Sequence, residues 1–134
     1  MISGERLAQI PLFAGLSDDS RVRLGEWFTE DEVAPGHHFV YEGSAGYMFF
    51  VLEDGTAAVT QGGEAVAQLG PGDVFGEMAF FGDGHRRADV VAETQVRVLI
   101  MFGTRFRELQ IELPDVAAEL ERLVRHRASE LDRG

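Results

Sequence analysis

Three spacings of apolar and polar residues follow one another along the chain. Residues 5–28 carry helical spacing, and Ser17 followed by Asp18 and Asp19 predicts a helix start with acids in its first turn. Val22, Leu24, Trp27 and Phe28 are its expected buried face. From residue 33 to 102 the apolar runs become short or alternating, as in 47-YMFFVL, 56-TAAVT, 65-AVAQL and 96-VRVLIMF. Glycines punctuate them at Gly36, Gly43, Gly46, Gly55, Gly62-Gly63, Gly70, Gly72, Gly76, Gly82 and Gly84. Turns at this spacing predict an antiparallel sandwich or barrel, with 62-GG-63 as a hairpin turn. Helical spacing returns over 104–132, where Pro114 can open a second helix. Val116, Leu120, Leu123, Val124, Arg127 and Leu131 then fall on one face. The chain reads as one domain, 1–134: a helical lead-in over 5–32, a β-barrel over 33–102 and C-terminal helices over 104–132.

Composition narrows the class. A chain of 134 residues with 45% hydrophobic content suits one domain with its own core. There is no apolar run long enough to span a membrane and no signal-peptide pattern at the N-terminus. The chain has no cysteine, which excludes disulfides and thiolate metal sites and leads us to expect a cytoplasmic location. All twelve basic residues are arginine, and 23 acids bring the net charge to −11. Such a surface repels nucleic acid and anionic membranes. Between Leu24 and His85 there are eleven acids and no base; then Arg86 and Arg87 arrive together.

That arrival closes the most unusual stretch of the chain, 73-DVFGEMAFFGDGHRRAD-89. Glu77 is a lone carboxylate among Val74, Phe75, Met78, Ala79, Phe80 and Phe81. The run 76–81 has the length of one or two helical turns, with Gly76 at its start. A helix N-terminus offers free N–H groups and partial positive charge, the arrangement that receives phosphate. An arginine beside it adds a bidentate donor fork, and a carboxylate can accept from a sugar hydroxyl. These parts suit a phosphorylated sugar. They also suit a structural salt bridge between Glu77 and Arg86 or Arg87, and the residue types alone do not separate the two readings.

The stretch resembles the phosphate-binding cassette of the cyclic nucleotide-binding domain family, whose pattern is met by 75-FGEMAFF-81 and 86-RRA-88. Residues 10-IPLFAGLS-17, Pro35-Gly36, Glu42-Gly43, Gly55, 71-PGD-73 and 114-PD-115 extend the likeness over nearly the whole chain. The resemblance implies a mainly β fold with flanking helices, a jelly roll (double-stranded β-helix), with the cassette at 75–88. It implies that Glu77 holds the ribose hydroxyl and Arg86 the cyclic phosphate. Backbone N–H groups of Gly76, Glu77, Met78 and Ala79 would cradle the ligand, with Ala88 closing the cassette. Leu69, Val74 and Val59 are candidate lining for ribose or purine. Arg87 stands where relatives carry Ser, Thr or Ala, and a threonine there favours cGMP in several of them; arginine has no hydroxyl, so cAMP is expected over cGMP. Asp89 is a second departure, where Thr or Ser is common. Arg127 or Leu131 is the expected lid over the purine.

Other chemistry finds little support. His37, His38 and Glu42 invite a cupin-like metal site, but adjacent strand residues point to opposite faces, so only one histidine could reach a metal. No nucleophile-and-base pair or Walker-type loop is recognisable. We therefore expect a sensor that is not an enzyme, with a cyclic nucleotide as ligand and no metal or other cofactor. An output protein is implied, and the apolar stripe of the last helix permits a homodimer. The chain ends at Gly134, directly after that helix, so a following DNA-binding helix-turn-helix is not expected. A domain that keeps the fold but serves only as a protein-interaction module is the alternative.

Overall fold

A computed structural model describes the backbone of residues 2–40, 48–75 and 88–133, and side chains as far as residue 126. Helix α1 (Gly4–Ala8) begins where the Ser3 hydroxyl accepts the Arg6 N–H. A 3₁₀ turn (Pro11–Phe13) and α2 (Asp18–Gly25) follow, and α2 is capped by Ser17 accepting from Ser20 N–H, as its sequence predicts. Val22 departs from expectation: it is 55% exposed. The helix is short, and burial concentrates on Leu24 and Gly25 and on Trp27 and Phe28 beyond its end.

Among the described residues eight strands come next: β1 (Thr29–Val33), β2 (His38–Val40), β3 (Met48–Asp54), β4 (Ala57–Gln61), β5 (Glu64–Leu69), β6 (Val74–Phe75), β7 (Asp89–Ala92) and β8 (Val96–Phe102). The first occupies residues 29–32, which the helical lead-in was expected to include. Its acids face solvent, and it is held by antiparallel pairing with β8, from Thr29 opposite Ile100 to Val33 opposite Val96. A ladder to a strand far along the chain outweighs what five residues prefer locally.

Among the described residues the strands form two four-stranded sheets, ordered β1-β8-β3-β6 and β2-β7-β4-β5, with antiparallel pairing throughout. The expected barrel is thus an open pair of sheets. Gly62 and Gly63 both have positive φ, 60° and 85°, which makes their link between β4 and β5 the predicted two-residue hairpin. Two apolar clusters result. One lies between the sheets and joins Phe50, Leu52, Phe75 and Val98 to Ala57, Leu69, Val90 and Ala92. The other covers the opposite face of the first sheet, where Phe49, Val51, Val74, Leu99 and Met101 meet the helices. Strand β3 is buried on both faces, so 49-FFVL-52 is continuously apolar where a half-exposed strand would alternate.

Helices α3 (Gly103–Glu112) and α4 (Pro114–Arg133) close the chain. Val116, Ala117, Leu120 and Val124 bury on the helical cluster. Arg105 lies 4.1 Å from the Trp27 ring centroid and fixes α3 to the end of α2. At the other terminus Ile2 N–H donates to Gly25 O at 3.0 Å. A Cβ at Gly25 would lie 1.9 Å from Ile2 O, so only glycine lets this segment cross the helix end.

Arg6 bolts α1 to the first sheet. Its Nε and Nη2 donate to Glu53 Oε2 and Oε1 at 2.7 and 2.6 Å, and Nη2 also pairs with Glu30. The bond from Arg6 holds the Glu30 carboxyl below its usual range, although its slight desolvation opposes this. For a lowered acid the stabilisation is complete above the ordinary glutamate range and is lost as pH falls through the depressed folded value. Arg6→Ala is expected to lower unfolding stability by about 1–3 kcal/mol near neutral pH, with a smaller difference in acid; paired urea titrations at the two conditions measure it.

Candidate functional site

Both strands that bracket the cassette are held firmly. Leading in, the turn 70-GPGD-73 is closed by Gly70 N–H donating to the buried Asp73 Oδ2 at 2.8 Å. Leu52 N–H donates to Asp73 O, and Gly72 N–H to Leu52 O, both at 2.8 Å. Gly72 has φ +93°, and a Cβ added there would lie 3.1 Å from Pro11 Cδ of the 3₁₀ turn. These bonds deliver β6 to the edge of the first sheet, with Val74 opposite Val51 and Phe75 opposite Phe50. Leading out, Ala88 is half-buried and β7 runs between β2 and β4 in the second sheet. The chain therefore crosses from the first sheet at β6 to the second at β7.

The interior beside this crossing is apolar. Phe50 and Phe75 stack with centroids 4.8 Å apart and planes 11° from parallel. Phe39 meets both edge-on, at 5.5 and 5.3 Å. Val59, Met48 and Ile100 are only partly buried against the same cluster.

The predicted site residues fall into three groups. Leu69 is buried between the sheets and Val59 borders that cluster, so both belong to the interior next to the cassette. Val74 is buried too, but on the opposite face of its sheet, among helix-facing side chains. Strand alternation places Phe75 inside in its stead. Gly76, Glu77, Met78, Ala79, Arg86 and Arg87, with the short helix expected over 76–81, lie outside the described residues, as do the side chains of Arg127 and Leu131 and residue Glu42. Sequence reasoning missed Phe39 and Phe50 as lining. In a run such as 49-FFVL-52, buried on both faces, periodicity cannot say which side faces the other sheet.

The histidines turn to different partners. The His37 ring packs edge-on against Phe39 at 5.0 Å, while His38 Nε2 lies 3.7 Å from Asp89 Oδ1. A cleft of about 350 Å³ between α1 and the first sheet also presents arginines, Arg6 and Arg97. It is a poor anion site, because Glu53 sits between them, bonded to Arg6 and 3.6 Å from Arg97 Nη1.

Residues 30–112 match the cyclic nucleotide-binding domain family, and the chain belongs to it. The cAMP-dependent protein kinase regulatory subunit of Yarrowia lipolytica is 37% identical over 105 residues, covering 77% of this chain and 28% of that protein. The catabolite activator protein of Thermus thermophilus has the same fold, with a TM-score of 0.74 at 31% identity over 91% of this chain and 60% of that one. The regulatory subunit of a cAMP-independent protein kinase A from Trypanosoma brucei gives 0.73 at 27% identity, covering 88% and 43%. The chain spans only 22% and 28% of two kinase regulatory subunits that it matches.

Proposed function

We propose that this chain is a cyclic nucleotide sensor domain, selective for cAMP over cGMP, that regulates a partner and catalyses nothing itself. One observation carries the reading. The strands that lead into and out of the stretch bearing 76-GEMAFF and Arg86, β6 and β7, lie in different sheets, and Phe39, Phe50, Phe75 and Val59 line an apolar interior between those sheets. Glu77 takes the ribose, Arg86 the phosphate, and backbone N–H groups of 76–79 complete the cradle. Several charge-assisted hydrogen bonds at roughly 1.5–3 kcal/mol each are enough for micromolar binding, about −8 kcal/mol.

The output would pass through α4. That helix packs on the 3₁₀ turn and on β6, the strand that leads into the cassette. A ligand that binds one placement of β6 more tightly than another therefore shifts α4, by no more than that difference in affinity. Arg127 or Leu131, further along α4, would close over the purine, and the partner would read the same helix.

Titration calorimetry with cAMP and cGMP in parallel tests the reading. The expected result is saturable cAMP binding in the micromolar range and weaker cGMP binding, because Arg87 supplies no hydroxyl. A second reading rests on the two departures, Arg87 and Asp89, and on likeness to a relative described as cAMP-independent. In it the domain keeps the fold as a protein-interaction module. Absence of binding by either nucleotide at millimolar concentration would establish that reading and end the first.

A further inference from the structure

Segments distant in the chain meet at the carboxyl end of α2. The last carbonyls of a helix have no intrahelical donor and must find partners elsewhere. Here Leu24, Gly25 and the capping residue Glu26 take theirs from three places. Leu24 O accepts from Trp27 N–H, just beyond the helix, at 2.9 Å. Gly25 O accepts from Ile2 N–H at 3.0 Å. Glu26 O accepts from Arg105 Nη2 of α3 at 3.3 Å. The same guanidinium lies over the Trp27 ring, 4.1 Å from its centroid. Its Nη1 donates to Glu108 Oε2 at 2.9 Å, which holds it against α3. A cation at this end of α2 is also favoured by the helix dipole.

Both sides of the junction belong to larger bodies. On one side, Arg21 donates to the carbonyls of Phe13, Ala14 and Leu16, so α2 and the 3₁₀ turn are held together. On the other, α3 packs on β8 and on α4. Ile2, Leu24, Trp27, Phe106 and Leu109 are all buried in the helical cluster. The position of α3 on the end of α2 therefore bears on where α4 begins.

We propose that the carboxyl end of α2 is a clasp through which the N-terminal segment controls the docking of α3. Ile2 holds Gly25, and the two residues that Arg105 grips, Glu26 and Trp27, follow directly in the chain. Displacing Ile2 removes the partner of Gly25 O and loosens the end of the helix on which Arg105 rests. Losing Arg105 frees Glu26 O and the Trp27 ring, and so loosens the same helix end under Ile2. A coupling of this kind runs equally in both directions. A partner that drew Ile2 away from Gly25 would thus release α3 from α2. This device uses none of the cassette and does not depend on which ligand the domain takes.

Amide hydrogen exchange by mass spectrometry tests it on the full chain, comparing wild type, Gly25→Ala and Arg105→Gln. A Cβ at position 25 would lie 1.9 Å from Ile2 O, so Gly25→Ala displaces the N-terminal segment, while alanine suits α2 itself better than glycine. It is expected to raise exchange across 103–112 by about fivefold, and Arg105→Gln to raise exchange across 2–10 by about the same factor. Exchange in the β4–β5 hairpin, 57–69, stays at the wild-type rate. Trp27, the one tryptophan of the chain, becomes more open to acrylamide quenching in both variants. Arg105 is 40% exposed, so its replacement leaves the domain folded and decides alone if Gly25→Ala does not fold. A rise confined to 2–28 in Gly25→Ala, or to 103–112 in Arg105→Gln, overturns the clasp. An equal rise in 57–69 also overturns it, because the loss is then one of global stability.

Discussion

Arg86→Ala is expected to weaken cAMP binding by at least about tenfold, the loss of one charge-assisted contact of roughly 1.5–3 kcal/mol. The cyclic phosphate carries a negative charge that must leave water to sit beside the apolar interior of Phe39, Phe50 and Phe75. Desolvating an unpaired charge is costly, so on the proposed reading a guanidinium paired with it would matter more than on an open surface. In a domain with net charge −11, the background field opposes an anion, and local cations must reverse it. Arg87→Ala is the internal comparison. If Arg86 is the phosphate ligand, its removal costs more affinity than that of Arg87. Calorimetric titration of the two variants decides, and an Arg86→Ala protein that binds like wild type would sink the assignment.

Phe75→Ala is expected to cost about 3–5 kcal/mol of stability, read from urea unfolding with an unchanged slope. Phe75 is 4% exposed, stacked on Phe50 and met edge-on by Phe39. Removing the ring leaves a cavity in the middle of three aromatics. Among the described residues β6 pairs with β3 through Val74 and Phe75, so the ring is one of two side chains that hold the described strand in place. For a domain of typical stability, about 5–15 kcal/mol, the loss is a large fraction of the whole. Phe75→Leu, which keeps most of the volume, should lose markedly less. A loss below about 1 kcal/mol for the alanine variant would mean that the trio does not anchor the strand leading into the cassette.

Much of the architecture was legible without coordinates. Ser17 and the two aspartates predict α2, Pro114 predicts α4, and the paired glycines predict the β4–β5 hairpin. Each is a local rule satisfied within a few residues: a cap, a fixed φ, a left-handed turn. The motif 75-FGEMAFF-81 with Arg86 was legible for a related reason, since cradling a small anion needs particular residues close together in sequence. Three features were not legible. Val22 has helical spacing yet stays exposed, because whether a face is covered depends on what packs against it. Thr29–Glu32 was expected in the helical lead-in and belongs instead to β1, which forms by pairing with β8, some seventy residues away. Val74 looks as suitable as Phe75 for a ligand pocket, and only the side of the sheet each faces tells them apart.

By itself, then, the sequence determined most of the elements, their order and the family. The reason is that caps, turns and a contiguous binding motif are short-range physics. Tertiary structure alone decided which face of each strand turns toward the other sheet. It decided that β6 and β7 lie in different sheets, and that His38 meets Asp89. These depend on strand register between residues far apart in the chain, where a shift of one position exchanges inside for outside and leaves the local pattern unchanged.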